Sequence, residues 1–136
     1  DELYQAMDVF VMPSLFEGLP VVGVEAQFSG LSCIFSDQVP EEVNFTNKSM
    51  FISLNEKKDI WADKVIAAAV DNGICKINIS SDIKVAFYTQ CRKTLNENPG
   101  YREPLEIYPE AMEVCGKVVE EKIRLFKSND KVKYYY

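Results

Sequence analysis

Glu17 and Glu25 stand on either side of Gly18-Leu19-Pro20 in an otherwise apolar run, SLFEGLPVVGVEAQFSG, from Ser14 to Gly30. An ionised carboxylate only accepts hydrogen bonds, and it suits hydroxyl donors such as those of a sugar or a ribose diol. Pro20 is a helix-start signal. The first turn of a helix presents unpaired backbone N–H groups and the positive end of the dipole, a seat for an anion such as a diphosphate. Gly18 has no side chain to hold a ligand away from the backbone. Glu25 is five residues past Pro20, about 7 to 8 Å along a helix axis, whereas Glu17 precedes the helix. Two carboxylates so spaced touch different ends of an elongated ligand with phosphates at its middle, the form of a nucleotide sugar.

The flanking sequence supplies a frame for them. Val9-Phe10-Val11-Met12 is a nearly continuous apolar run closed by Pro13 and Ser14, the pattern of a strand buried on both faces of a parallel sheet. From Pro20 to Phe28 the pattern is helical, with Val21, Val24 and Phe28 on one apolar side and Gly30 as a stop. Cys33-Ile34-Phe35-Ser36 and Met50-Phe51-Ile52-Ser53-Leu54 read as two further strands. A helix is expected from about Lys57 to Val70, with Ile60, Trp61, Val65 and Ala68 on one face. Strands alternating with helices through short connections give an α/β class, a Rossmann-like parallel sheet flanked by helices. In that fold the loop carrying Glu17 and Gly18 lies at the carboxyl edge of the sheet, where open α/β sheets bind ligands.

Beyond Gly73 the expected elements are a helix from about Asp82 to Leu95, a breaker at Asn98-Pro99-Gly100, and a final amphipathic helix opened by Pro109 with Met112, Cys115, Val119 and Phe126 on one side. Residues 1–73 form one expected domain, part of a nucleotide-sugar-binding fold, and residues 74–136 a helical extension. A net charge of −6 speaks against a nucleic-acid partner held by phosphate neutralisation. Cys33, Cys75, Cys91 and Cys115 are scattered and the chain has no histidine, so zinc-ligand spacing is lacking and reduced cytosolic thiols are expected. No apolar run reaches the length of about 18 residues that a membrane helix needs.

In this context FEGLPVVGVEAQFSGL resembles the E-x7-E segment of the family 4 retaining glycosyltransferases of GT-B fold, the glycosyl transferases group 1; LYQAMDVFVMPS before it and CIFSDQVPEEV after it resemble the same family's flanking strands. The likeness covers about Glu2 to Val70. It implies that Glu17 bonds the donor sugar's hydroxyls at the catalytic centre and that Glu25 holds the ribose. The backbone amides of Gly18, Leu19, Val21 and Val22 then surround the sugar and diphosphate, and Pro20 contributes shape without an N–H. No metal or other cofactor is implied. The glycosyl group passes with retained configuration to a glycan or lipid-linked acceptor, as in cytoplasmic polysaccharide biosynthesis. The family's basic Arg/Lys pair and its acceptor-binding N-terminal domain are expected upstream of Asp1, which makes this chain a fragment, inactive alone. The alternative is a non-catalytic nucleotide-binding or interaction module derived from the fold.

Other chemistries fit less well. A glycoside hydrolase needs two carboxyl groups about 5 to 5.5 Å apart across one bond when it retains configuration, and one glutamate in a loop with another well into a helix is a poor arrangement for that. Glu41-Glu42 reads as a solvated turn, and Trp61 as a core or interface aromatic. The Lys- and Arg-bearing tail, Lys117 to Lys133 with Tyr134-Tyr135-Tyr136 after it, reads first as a solvated helix face, since Glu120, Glu121 and Asp130 interrupt it. Peripheral contact with anionic lipid at the inner face of the membrane is the second reading.

Overall fold

The structure, a computed structural model, describes residues 2–134 except for the side chain of Val132. Tyr135 and Tyr136 of the tail lie outside the described residues. The chain divides into two compact units, Asp1–Cys75 and Lys76–Tyr136.

Unit 1 runs α1 (Glu2–Gln5), β1 (Val9–Met12), α2 (Val21–Phe28), β2 (Ser32–Ser36), a 3-10 turn at Glu41–Val43, β3 (Met50–Ile52) and α3 (Lys58–Asp71). The strands form a parallel sheet in the order β1-β2-β3, with Val11 opposite Ile34 and Phe35 opposite Phe51. Parallel neighbours require a crossover. Helix α2 makes the first, and the loop holding the 3-10 turn makes the second. The central strand is the most apolar and the best covered: Cys33, Ile34, Phe35 and Ser36 are all buried. Ala26, Cys33, Phe35, Val39 and Val43 make the core, flanked by Tyr4, Phe10, Met12, Val24, Leu31 and Phe51. The class is α/β, as the alternation of strand and helix patterns requires.

The face that α2 buries differs from the expected one. Val21 is 64 % and Phe28 82 % exposed, while Gly23, Ala26 and Gln27 are buried. The cause is the closeness of helix to strand. A Cβ on Gly23 would lie 2.9 Å from Cε1 of Phe35 and 3.3 Å from Cγ2 of Val43, so only glycine fits beneath that ring. Gln27 is a polar group in this interface with every partner supplied. Its Nε2 donates to the carbonyls of Gly23 (2.9 Å) and Val43 (2.7 Å), and its Oε1 accepts from the N–H and hydroxyl of Thr46. Burial without those partners would cost about 1 to 3 kcal/mol.

Helices α2 and α3 both end in the same way. Gly30 and Gly73 take positive φ (86° and 101°), and the amides of Leu31 and Ile74 reach back to the carbonyls of Ala26 and Ala69, 3.1 Å in each case. This left-handed turn satisfies the last carbonyls and is cheapest for glycine. Trp61 is structural: its Nε1 donates to the Ser53 carbonyl at 3.0 Å, tying α3 to the end of β3. The expected apolar face of α3 is only partly covered, with Ile60 exposed and Trp61 half-buried.

Unit 2 is a hairpin of α4 (Ser81–Glu97) and α5 (Pro104–Leu125). The helices run antiparallel, since Thr94 bonds Glu110 (2.9 Å) near the turn and Asp82 pairs with Lys122 (3.2 Å) at the open end. Helix α5 starts at Pro104 and not at the expected Pro109. Glu103 and Glu106 form a reciprocal capping box there, which fixes the start one turn earlier and leaves Pro109 inside the helix. The expected stripe also shifts. Met112 is 67 % exposed, and Ala111 is the buried residue of the helix. Along the tail, Lys117 pairs with Glu113 and Arg124 with Glu120, as on a solvated helix.

Gly23→Ala is expected to destabilise unit 1 by about 1 to 3 kcal/mol through overpacking against Phe35, part of it offset by a gain in helix propensity of about 1 kcal/mol. Trp61 is the only tryptophan of the chain, so its fluorescence in a urea titration isolates this unit, and an unchanged midpoint would contradict the packing argument.

Candidate functional site

The site lies where β1 and β2 end and α2 begins. Ser36, the last residue of β2, is fully buried, and its hydroxyl donates to the carbonyl of Ser14 at 2.5 Å. That bond ties the loop after β1 to the sheet. Ser14 in turn donates its own hydroxyl to Oε1 of Glu17 at 2.8 Å. Glu17 is half-buried, and Gly18 and Leu19 beside it are exposed. A Cβ on Gly18 would meet nothing within 4 Å, so open space adjoins the backbone there.

Pro20 is the N-cap of α2 and brings no side-chain acceptor to the first turn. The amides of Gly23 and Val24 both bond the Pro20 carbonyl, at 3.0 and 3.3 Å. This leaves the amides of Val21 and Val22 as the donors at the helix start. Glu25 sits one turn further along, exposed, and its Oε2 accepts the hydroxyl of Tyr4 at 3.0 Å. Glu17 and Glu25 thus flank the helix start, each with one oxygen engaged by a different hydroxyl.

Neither hydroxyl is prominent in the sequence. Tyr4 lies on the short α1, 21 positions from its partner, and no local spacing joins them. The signal for Ser14 is weaker still, a strand-ending serine three residues before an acid. Partial burial first, then the hydrogen bond to Glu25 and its charge, raise the Tyr4 phenol above its ordinary range. Elsewhere the thiol of Cys33, buried under α2, is pushed up to about 11 and is inert at neutral pH. All four cysteines are unpaired. Among the described residues no group of three His, Cys, Asp or Glu side chains converges as a metal site would need, and no helix is long and apolar enough to cross a membrane.

Two families match this chain. Residues 1–71 match the family described as Glycosyl transferases group 1, and residues 39–131 match Fructose-bisphosphate aldolase class-II. The chain belongs to both, and the two matched stretches overlap over residues 39–71. The glycosyltransferase stretch holds the whole of the site above, and the aldolase stretch holds α4 and α5.

Among curated proteins the chain is similar to EpsF of Bacillus subtilis (strain 168), named as a glycosyltransferase, with 52 % identity over 69 residues, half of this chain and 18 % of that protein. It is 54 % identical over 35 residues, 26 % of this chain and 9 % of the other, to the UDP-Gal:alpha-D-GlcNAc-diphosphoundecaprenol alpha-1,3-galactosyltransferase of Escherichia coli. To the fructose-bisphosphate aldolase of Thermus caldophilus it is 36 % identical over 63 residues, 46 % of this chain and 21 % of the aldolase. The chain therefore spans about a fifth or less of each of these relatives. The aldolase likeness was not legible from residues 74–136, whose helix and connector patterns carry no spacing that singles out a chemistry.

At the same sheet edge Asp37 follows β2 and closes the turn toward β3. Its carboxylate is held below the ordinary aspartate range first by the Ser53 hydroxyl, then by the Gln38 side chain (3.1 Å), with the Leu54 amide (3.2 Å) adding to them. A carboxylate whose folded value is depressed stabilises above the ordinary value, about 3.9 for aspartate, and that contribution is lost as pH falls through the folded value. Asp37→Asn is expected to lower the stability of unit 1 at pH 7, and the difference from the wild type to shrink toward zero under acid. Trp61 fluorescence unfolding curves at several pH values measure this, and a pH-independent difference would contradict it.

Proposed function

We propose that unit 1 holds a nucleotide-sugar donor. The observation that carries the reading is the uncapped helix start at Val21 and Val22, flanked by two carboxylates that each keep one oxygen for a ligand. Glu17 takes the donor sugar's hydroxyls next to the reacting carbon. The amides of Gly18 and Leu19 and those of Val21 and Val22 line the sugar and diphosphate, Pro20 shapes the turn, and Glu25 takes the ribose diol. Charge on the departing diphosphate is stabilised by the helix start, with no metal required. In a chain that also carries an acceptor-binding half, the same residues serve sugar transfer with retained configuration.

The Escherichia coli relative is named for UDP-Gal and a diphosphoundecaprenol-linked acceptor. That supports a UDP-sugar as the first donor to test and a lipid-linked glycan as the acceptor class, at the cytoplasmic face of the membrane in polysaccharide assembly. The second reading, a donor-binding module without transfer, is favoured by a specific observation: residues 39–131 match another family. For unit 2 we infer a packing role, because Gln90, Thr94 and Glu110 bond one another within the hairpin.

UDP-galactose is expected to bind the chain, measured by calorimetry at low salt, and Glu25→Gln to weaken it about tenfold or more through loss of a charged hydrogen bond. Gly18→Ala should weaken binding while leaving the unfolding midpoint unchanged, since its Cβ meets no protein atom. Equal binding by wild type and Glu25→Gln would end the ribose assignment. The chain alone is expected to move no labelled galactose to an acceptor, and turnover by it would contradict that part of the account.

A further inference from the structure

We propose that Tyr4 is a positioning residue for the donor, fixing Glu25 so that its free oxygen faces the ribose diol; this rests on the assignment of Glu25 to the ribose. Glu25 is exposed, and a free glutamate on a helix surface samples many rotamers. The hydroxyl of Tyr4 removes that freedom. It donates to Oε2 at 3.0 Å and lies 3.5 Å from the carbonyl of Val22, so it is held against the first turn of α2 as well as against the carboxylate.

The ring is itself immobilised. Tyr4 packs edge-on against Phe10 (centroids 6.4 Å, 67°), Phe10 packs likewise against Phe35 (6.4 Å, 64°), and Phe35 meets Phe51 at 5.6 Å. A row of aromatic rings thus leads from the core of the sheet to the hydroxyl. Tyr4, Glu25, Phe28 and Ser29 line a cavity of about 280 Å³, open enough to admit a pentose beside the carboxylate. Tyr4 has one proton and spends it on Glu25, so it acts on the ligand through that group. Ser14 does the equivalent for Glu17.

The test is a double-mutant cycle on the full chain, with UDP and 2′-deoxy-UDP as probes and Kd read by calorimetry. Tyr4→Phe keeps the ring and removes only the hydroxyl, and its folding is checked by Trp61 fluorescence. It is expected to weaken UDP about threefold to tenfold, the worth of one hydrogen bond, to weaken 2′-deoxy-UDP less, and to add nothing in the Glu25→Gln background. Unchanged UDP binding by Tyr4→Phe while Glu25→Gln binds poorly overturns the positioning role alone. A loss that persists undiminished in the Glu25→Gln background overturns it too, since Tyr4 would then act independently. Wild-type-like UDP binding by Glu25→Gln, or no UDP binding by the wild type, overturns the ribose assignment and this inference with it. A readout without ligand completes the set: NMR of tyrosine Cζ, assigned through Tyr4→Phe, should show the Tyr4 phenol titrating above its ordinary range and falling part of the way back in Glu25→Gln, since burial also raises it. No change in that titration would mean the contact is not made.

Discussion

The approach of α2 to β2 governs the geometry of unit 1. The ring of Phe35 sits where a side chain on Gly23 would otherwise be, and Gln27, one turn on, clasps the loop from Val43 to Thr46. Both contacts set the height and rotation of the helix on the sheet. The amides of Val21 and Val22 and the carboxylate of Glu25 ride on that same helix, so their positions relative to the strand ends follow from it. Ser36 supplies the matching anchor on the other side, holding the loop of Glu17 to the end of β2. Packing and site are therefore one arrangement.

The electrostatics of this edge set a limit on affinity. A helix start offers about half a positive charge, and the diphosphate of the proposed donor would bring two or more negative ones beside Glu17 and Glu25. No basic residue occurs between Ser14 and Gly30. On the proposed reading, hydrogen bonds in defined directions, from backbone amides to phosphate and from hydroxyls to carboxylates, carry the recognition, and pre-orientation by Ser14 and Tyr4 then matters more than net charge. The Arg/Lys pair implied by the family resemblance is what would raise the affinity.

Legibility in the sequence followed the chemistry of each part. The strands of Val9, Cys33 and Met50 and the start of α2 were readable because apolar runs and a first-turn proline leave strong local signals, whereas the start of α5 was set by the Glu103–Glu106 capping box and not by Pro109. The buried sides of α2 and α5 were not readable. Large apolar residues, Val21, Phe28 and Met112, drew the expected stripes, but the buried positions are the small Gly23, Ala26 and Ala111, Gly23 lying directly beneath the Phe35 ring. The glutamates of the candidate site stood out as charges in an apolar run; their hydroxyl partners did not, because Tyr4 reaches Glu25 only through the folded sheet. A second family in the same chain left no mark on composition, since a helical hairpin looks much like any other.

The proposed donor seat lies in the stretch that matches the glycosyltransferase family, and one measurement tests it most directly. Isotope-labelled protein titrated with UDP-galactose and followed by amide NMR should show the largest shifts at Val21 and Val22, with smaller ones at Gly18, Leu19 and Glu25 and none in α4 or α5. Shifts confined to residues 76–136, or none at the start of α2 at saturating ligand, would contradict the central claim that this helix start is the diphosphate seat.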